Sequence, residues 1–121
     1  MRRALTATSL ALLAVAPAGA SAAPERSLLV NGDSLAEGTK TYVPGELPAW
    51  RVEQSTAVGR HASEGAAVMR SYGSALPRVI HVSLGTNDDP GDRRGFRRAI
   101  RAVMRAAGAS RCVVWANIVR P

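Results

Sequence analysis

Cysteine occurs once in this 121-residue sequence, at Cys112, so no intramolecular disulfide can brace the fold. Lysine also occurs once, at Lys40, and positive charge is carried almost wholly by arginine. Aromatic residues make up 4% of the chain, too few to interleave with the arginines as stacking platforms, so no nucleic-acid partner is expected. His61 and His81 stand apart from each other and from Cys112, which leaves no metal-type Cys/His cluster; no metal and no other cofactor is expected. Without a nearby histidine to lower its pKa, Cys112 is not read as a catalytic thiol. It lies in an apolar run and is expected to be a small buried core residue. The sequence has no internal repeat, and no low-complexity segment after its leader.

Hydrophobic residues make up 46% of the chain, enough for one small packed domain. The formal net charge is +7, but Arg2 and Arg3 belong to the leader, and the general Arg and Ala bias is what a GC-rich genome encodes. Residues 1–22 have the pattern of a secretory signal peptide. Arg2 and Arg3 form its basic end, residues 5–15 its apolar stretch, and Ala20-Ser21-Ala22 its cleavage site. The apolar stretch is shorter than the roughly 18–20 residues that a membrane span needs. The expectation is therefore export and no stable membrane span after cleavage, with residues 23–121 forming the folded domain and the product secreted, extracellular or associated with the cell wall.

Past the leader, an apolar run ends abruptly in polar residues: Leu28-Leu29-Val30-Asn31 leads into Gly32-Asp33-Ser34-Leu35. A buried strand that delivers a polar side chain to the rim of a sheet has this pattern. Gly32 permits a sharp turn, and Asp33 can accept from backbone N–H groups within it. Ser34 falls just beyond the strand's carboxyl end, where open α/β sheets hold their ligands. A second stretch has the same shape: Val79-Ile80-His81-Val82-Ser83-Leu84 runs into Gly85-Thr86-Asn87-Asp88. Gly-Asp-Ser-Leu and Gly-Thr-Asn-Asp, in this order, resemble the first and third motif blocks of the GDSL, or SGNH, hydrolase family. The resemblance covers most of the chain after the leader and is distinct from the Gly-x-Ser-x-Gly elbow of the α/β-hydrolases.

The remaining pattern agrees with an α/β protein. Strands are expected at residues 26–30, 50–54, 79–84 and 111–118, the second at or near an edge because it alternates apolar and polar residues, the third central because it is apolar on both faces. Residues 38–48, with their glycines and prolines, read as a loop. One helix is expected to be capped by Ser63 and stopped by Gly73, burying Ala66, Met69 and Tyr72, or Ala67 and Val68. Another is expected to open at Asp89-Pro90, with Asp92 near its positive end, and to stop at Gly108. Its apolar stripe would be Phe96, Ile100, Val103, Met104 and Ala107, while Arg94, Arg98, Arg101 and Arg105 read as a solvated outer face. Alternating strands and helices imply a parallel sheet with helices on both faces. The resemblance makes this a three-layer α/β/α, flavodoxin-like SGNH fold without its last strand and helix, which would leave Val113, Trp115 and Ile118 or their neighbours beside an open edge.

The chemistry implied by the resemblance is acyl transfer. Ser34 is then the nucleophile, and its own backbone N–H, that of Gly59 and the Asn87 side-chain amide are the donors to the oxyanion. Gly65 is the lesser alternative to Gly59. The family's base, a histidine three residues after an aspartate near the carboxyl end of the domain, has no counterpart, since the sequence contains no Asp-x-x-His. His81 lies four residues before Gly85, about 13 Å down an extended strand, and reads as a core histidine; His61 reads as an exposed loop residue near the site. The resemblance thus implies a secreted serine esterase or related acyl hydrolase acting on a small-molecule or polysaccharide ester. The stretch from Val58 to Ser63 is similar to that of members acting on O-acetylated polysaccharides, which can transfer acetyl to sugars. The alternative is a catalytically inactive fragment or a remnant that binds carbohydrate or an anionic polymer through its arginines. Mass analysis of the protein exported from its host is expected to give an amino terminus at or near Ala23; a mature chain that retains Leu5 would refute cleavage.

Overall fold

The computed structural model describes residues 26–118, so the leader and its cleavage site lie outside the described residues. Four strands, β1 (Ser27–Gly32), β2 (Arg51–Thr56), β3 (Val79–Ser83) and β4 (Cys112–Trp115), form one sheet in the order β2-β1-β3-β4, and every pairing is parallel. Helices α1 (Ser34–Thr39) and α2 (Val43–Glu46) connect β1 to β2; α3 (Ala62–Tyr72) connects β2 to β3, and α4 (Arg93–Ala107) connects β3 to β4. The expected α/β architecture is present, with β1 and β3 central and β2 at an edge.

The apolar run of β1 is buried at every position because both its faces are covered. Leu28 and Val30 pack with Ala36 on the α1 and α2 side, together with Val43, Leu47 and Trp50. Leu29 faces the other way, into the larger core with Ile80, Val82, Met69 of α3 and Val103 of α4. Leu29, Ile80 and Val82 are fully buried, and each such side chain contributes roughly 1.5–3 kcal/mol of transfer free energy. Helices therefore cover both faces of the sheet. No described helix is long and apolar enough to cross a membrane.

Several expected details differ. The residue that caps α3 is His61, not Ser63: Glu64 Oε2 accepts from the His61 N–H at 2.7 Å, which moves the helix start one residue before Ser63. Helix α4 begins at Arg93, capped by Asp92, whose Oδ1 accepts from Gly95 N at 2.8 Å; Asp89-Pro90 lies in the preceding turn. Its buried face is Ala99, Val103 and Ala107, with Phe96 half-buried, whereas Met104 is 49% exposed. Small alanines let α4 approach α3 closely, so the stripe turns toward α3 rather than following side-chain size. Within residues 38–48 the chain makes the short helix α2 rather than a plain loop, helped by Pro44 in its first turn. Cys112 is exposed, not a core residue, because it opens the edge strand β4 and points to its uncovered side.

His81, on β3, is half-buried beside Leu28, Val30, Val43 and Leu47, and burial pushes its imidazole below the ordinary histidine pKa. The unfolded chain therefore takes up this proton at higher pH than the folded one, so stability is retained above the unfolded value and lost as pH falls through about 6.5. Denaturant unfolding between about pH 7.5 and pH 5 is expected to show this loss, and His81→Leu to remove that part of the slope. An identical slope in the variant would refute the assignment.

Candidate active site

Both polar tips leave the carboxyl end of neighbouring strands and meet. At the end of β1, Gly32 has no room for a side chain: a Cβ there would lie 2.3 Å from the Ala36 Cβ and 3.2 Å from the Ser83 carbonyl oxygen. Asp33 follows, fully buried, donating its N–H to Ser83 O at 3.1 Å. Its Oδ1 accepts from Leu35 N at 3.0 Å and so caps α1. Its Oδ2 lies 3.4 Å from the Asn87 amide nitrogen. Ser34 comes next, exposed, at the first position of α1. Among the described residues neither its Oγ nor its backbone N–H has a hydrogen-bond partner. A serine at a helix N-terminus with a free N–H is in a favourable place for developing negative charge.

The loop after β2 closes over this corner. Ala57 N donates to Gly32 O at 3.1 Å, which fastens the loop to the exit of β1. Arg60 N then donates to Ala57 O at 3.2 Å, and Gly59 stands at the third position of that turn with φ of +77°. This is the type II geometry that favours glycine. Gly59 is exposed, and its N–H has no partner among the described residues. Asn87 is half-buried and donates to two acceptors, Asp33 Oδ2 and, at 3.3 Å, the Arg60 carbonyl oxygen. Ser34, Gly59 and Asn87 are thus carried by loops that are bonded to one another.

Gly65 does not fit the donor role. Its N–H bonds to His61 O at 3.1 Å within α3, and its carbonyl accepts from Asn31 Nδ2 at 2.9 Å. Its work is close packing, since a Cβ there would meet Leu84 Cδ1 at 2.1 Å. His61 caps α3 and stands half in solvent, its Nδ1 3.9 Å from Asp88 Oδ1. Asp88 Oδ2 in turn accepts from Ala62 N at 3.0 Å, setting a carboxylate against the positive end of α3. Among the described residues no histidine is hydrogen-bonded to Ser34.

Sequence reading missed the two residues that hold this corner together. Asn31 is fully buried and bonds Gly65 O through its amide, while its Oδ1 accepts from Arg60 at 3.3 Å. The Arg60 guanidinium also donates to the Ser55 carbonyl and, at 3.2 Å, to Ser55 Oγ. A lone amide at the end of an apolar run was the available signal for Asn31. Arg60 had none, being one arginine among many.

No protein-family model matches the sequence, and no curated protein matches it. Solved structures do match. One is the C-terminal catalytic domain of peptidoglycan O-acetyltransferase A from Streptococcus pneumoniae, solved with a methylsulfonyl adduct, at 15% identity and a TM-score of 0.58, covering 75% of this chain and 48% of that one. Another is a putative acylhydrolase from Bacteroides fragilis, at 14% identity and a TM-score of 0.55, covering 78% of this chain and 49% of that one. The chain spans about half the length of these structures, and the likeness establishes an SGNH-like α/β fold.

Gly65→Ala is expected to destabilise the protein by roughly 1–3 kcal/mol through overpacking against Leu84 and Asn31. Urea unfolding of the variant would measure it, and an unchanged midpoint would refute the close approach of α3 to the sheet.

Proposed function

We propose that this chain carries the nucleophile half of an exported, SGNH-type acyl-transfer site, with Ser34 as nucleophile. The observation that supports this reading is the contact of Asn87 with Asp33, which joins the two motif tips beside an exposed serine. In the reaction, Ser34 Oγ attacks an ester carbonyl carbon and gives its proton to a base. The carbonyl oxygen becomes an oxyanion facing the N–H groups of Ser34 and Gly59 and the Asn87 amide. Collapse of the tetrahedral intermediate breaks the bond to the alcohol, which leaves with a proton, and the acyl group stays on Ser34. Water, or a sugar hydroxyl, then takes the acyl group.

The names of two structural neighbours support a substrate class. One structural neighbour is a peptidoglycan O-acetyltransferase and another a putative acylhydrolase, so an ester of a cell-wall or other polysaccharide is the proposed substrate, outside the cell. A cavity of about 280 Å³ opens beside this corner, lined by Gly85, Asp88, Pro90, Phe96 and Ile118, and is large enough for a small acyl group. A second reading rests on the lack of a histidine bonded to Ser34 among the described residues: an inactive half-site that only binds saccharide.

Methanesulfonyl fluoride separates the two. It is expected to leave a methylsulfonyl group on the peptide containing Ser34, with loss of fluoride, and Ser34→Ala to abolish that adduct in mass spectra. Asn87→Ala is expected to slow labelling by about 10²-fold. Equal labelling of the Ser34→Ala protein would refute the nucleophile, and no labelling of the wild type would favour the second reading.

A further inference from the structure

A solvent-open groove of about 560 Å³ runs between α3 and α4. Its floor is small, formed by Gly95, Ala99 and Ala102 of α4, so a ligand can lie close to the helix. The two helices both follow parallel strands and pack on the same face of the sheet, so their like ends lie together. At one end stand the two caps, His61 and Asp92, with Asp88. Toward the other stand Arg70 and Arg105, each in the last turn of its helix. From Asp92 to Arg105 is about 20 Å along the helix axis.

The charges are unevenly served. Arg98, between the two ends, reaches Asp92 Oδ2 at 4.0 Å. Neither Arg70 nor Arg105 has an ion pair or side-chain hydrogen bond among the described residues. Two unpaired guanidinium groups on one groove repel each other, and a planar or tetrahedral oxyanion between them reverses the sign of that interaction. Arginines in a last turn also complement the helix dipole, but that role is met on any face of the helix. Arg94 and Arg101 of the same helix are exposed and do not line the groove. Asp88 and Asp89 border both this groove and the cavity beside Gly85, so the two lie against the same residues, next to Asn87 in the chain.

We propose that the groove is a subsite for an oxyanion-bearing stretch of an acylated polysaccharide, its carboxylate or phosphate held by Arg70 and Arg105 and its chain leading past Asp88 to Ser34. The proposal rests on the acyl-transfer reading for the nature of the polymer. The full chain would be titrated with three fluorescent oligomers of matched length: an oligogalacturonate, a glycerol-phosphate oligomer and a neutral xylo-oligosaccharide. At least one anionic oligomer is expected to bind, and which one binds more tightly distinguishes carboxylate from phosphate. Arg70→Gln with Arg105→Gln is expected to weaken that binding by roughly tenfold or more. Arg94→Gln with Arg101→Gln removes the same charge and is expected to change it by no more than roughly twofold, as a screened long-range effect. Equal losses in the two double variants, equal affinity for the neutral oligomer, or no binding at all would overturn the subsite. Sulfonyl labelling of Ser34 is read separately: labelling without binding refutes the groove alone, and arginine-dependent binding without labelling refutes the acyl-transfer reading alone.

Discussion

A carboxylate shut away from water must have its oxygens met by donors, and Asp33 is fully buried at the point where β1 ends. Its two oxygens are met from two directions: Oδ1 by the Leu35 N–H of its own turn, Oδ2 by the Asn87 amide from the loop after β3. Its backbone N–H goes to a third place, the Ser83 carbonyl. The local bond bends the chain into α1 and presents Ser34 to solvent. The distant ones pin the two strand ends together. Arg60 adds the third loop, because its carbonyl takes the other Asn87 contact while its guanidinium reaches back to Asn31 and Ser55. One buried acid and its partners therefore decide the relative position of three loops that sequence separates by dozens of residues.

The opposite side of the same loop obeys steric rather than polar demands. Gly85 has φ of +123°, and a Cβ there would lie 2.2 Å from Ile118 Cδ1 and 2.9 Å from the Phe96 ring. Phe96 meets Trp115 edge to face, with ring centroids 6.1 Å apart, and Trp115 Nε1 donates to Leu84 O at 3.1 Å. Edge strand β4 is held to the site loop in this way. Its outer side is less well covered: Val114 is 50% exposed, and Ile100, Met104, Val113 and Ile118 border an open apolar hollow of about 500 Å³. Among the described residues β4 is an edge strand, although Trp115 is better packed than a bare edge residue.

Three residues depart from sequence expectation for one physical reason. Residue character alone puts Cys112 and Met104 inward and Ser63 at a cap, but each outcome depends on a neighbour. Cys112 is exposed because β4 is the edge strand among the described residues. Met104 turns outward because the alanines of α4 take the inner face. Ser63 yields the cap to His61 because the Glu64 carboxylate closes its bond on the His61 N–H, two residues earlier than expected. Gly32 is legible, since a backbone position that excludes a side chain leaves a glycine in the sequence.

By itself the sequence determined the α/β alternation, the central place of β3, and the position of Ser34 and Asn87 just past the ends of β1 and β3. These follow from local rules: burial on both faces demands continuous apolar runs, and a strand that ends at the rim must change to polar and turning residues within a few positions. Only the tertiary structure decided that Asn87 touches Asp33, that Arg60 and Asn31 bind the corner, that Gly65 is a packing residue, and that Arg70 and Arg105 share one groove. Those facts are contacts between residues remote in sequence. They depend on the register of parallel strands and the approach of helices, and both are set by the summed packing of the whole domain rather than by any one stretch of it.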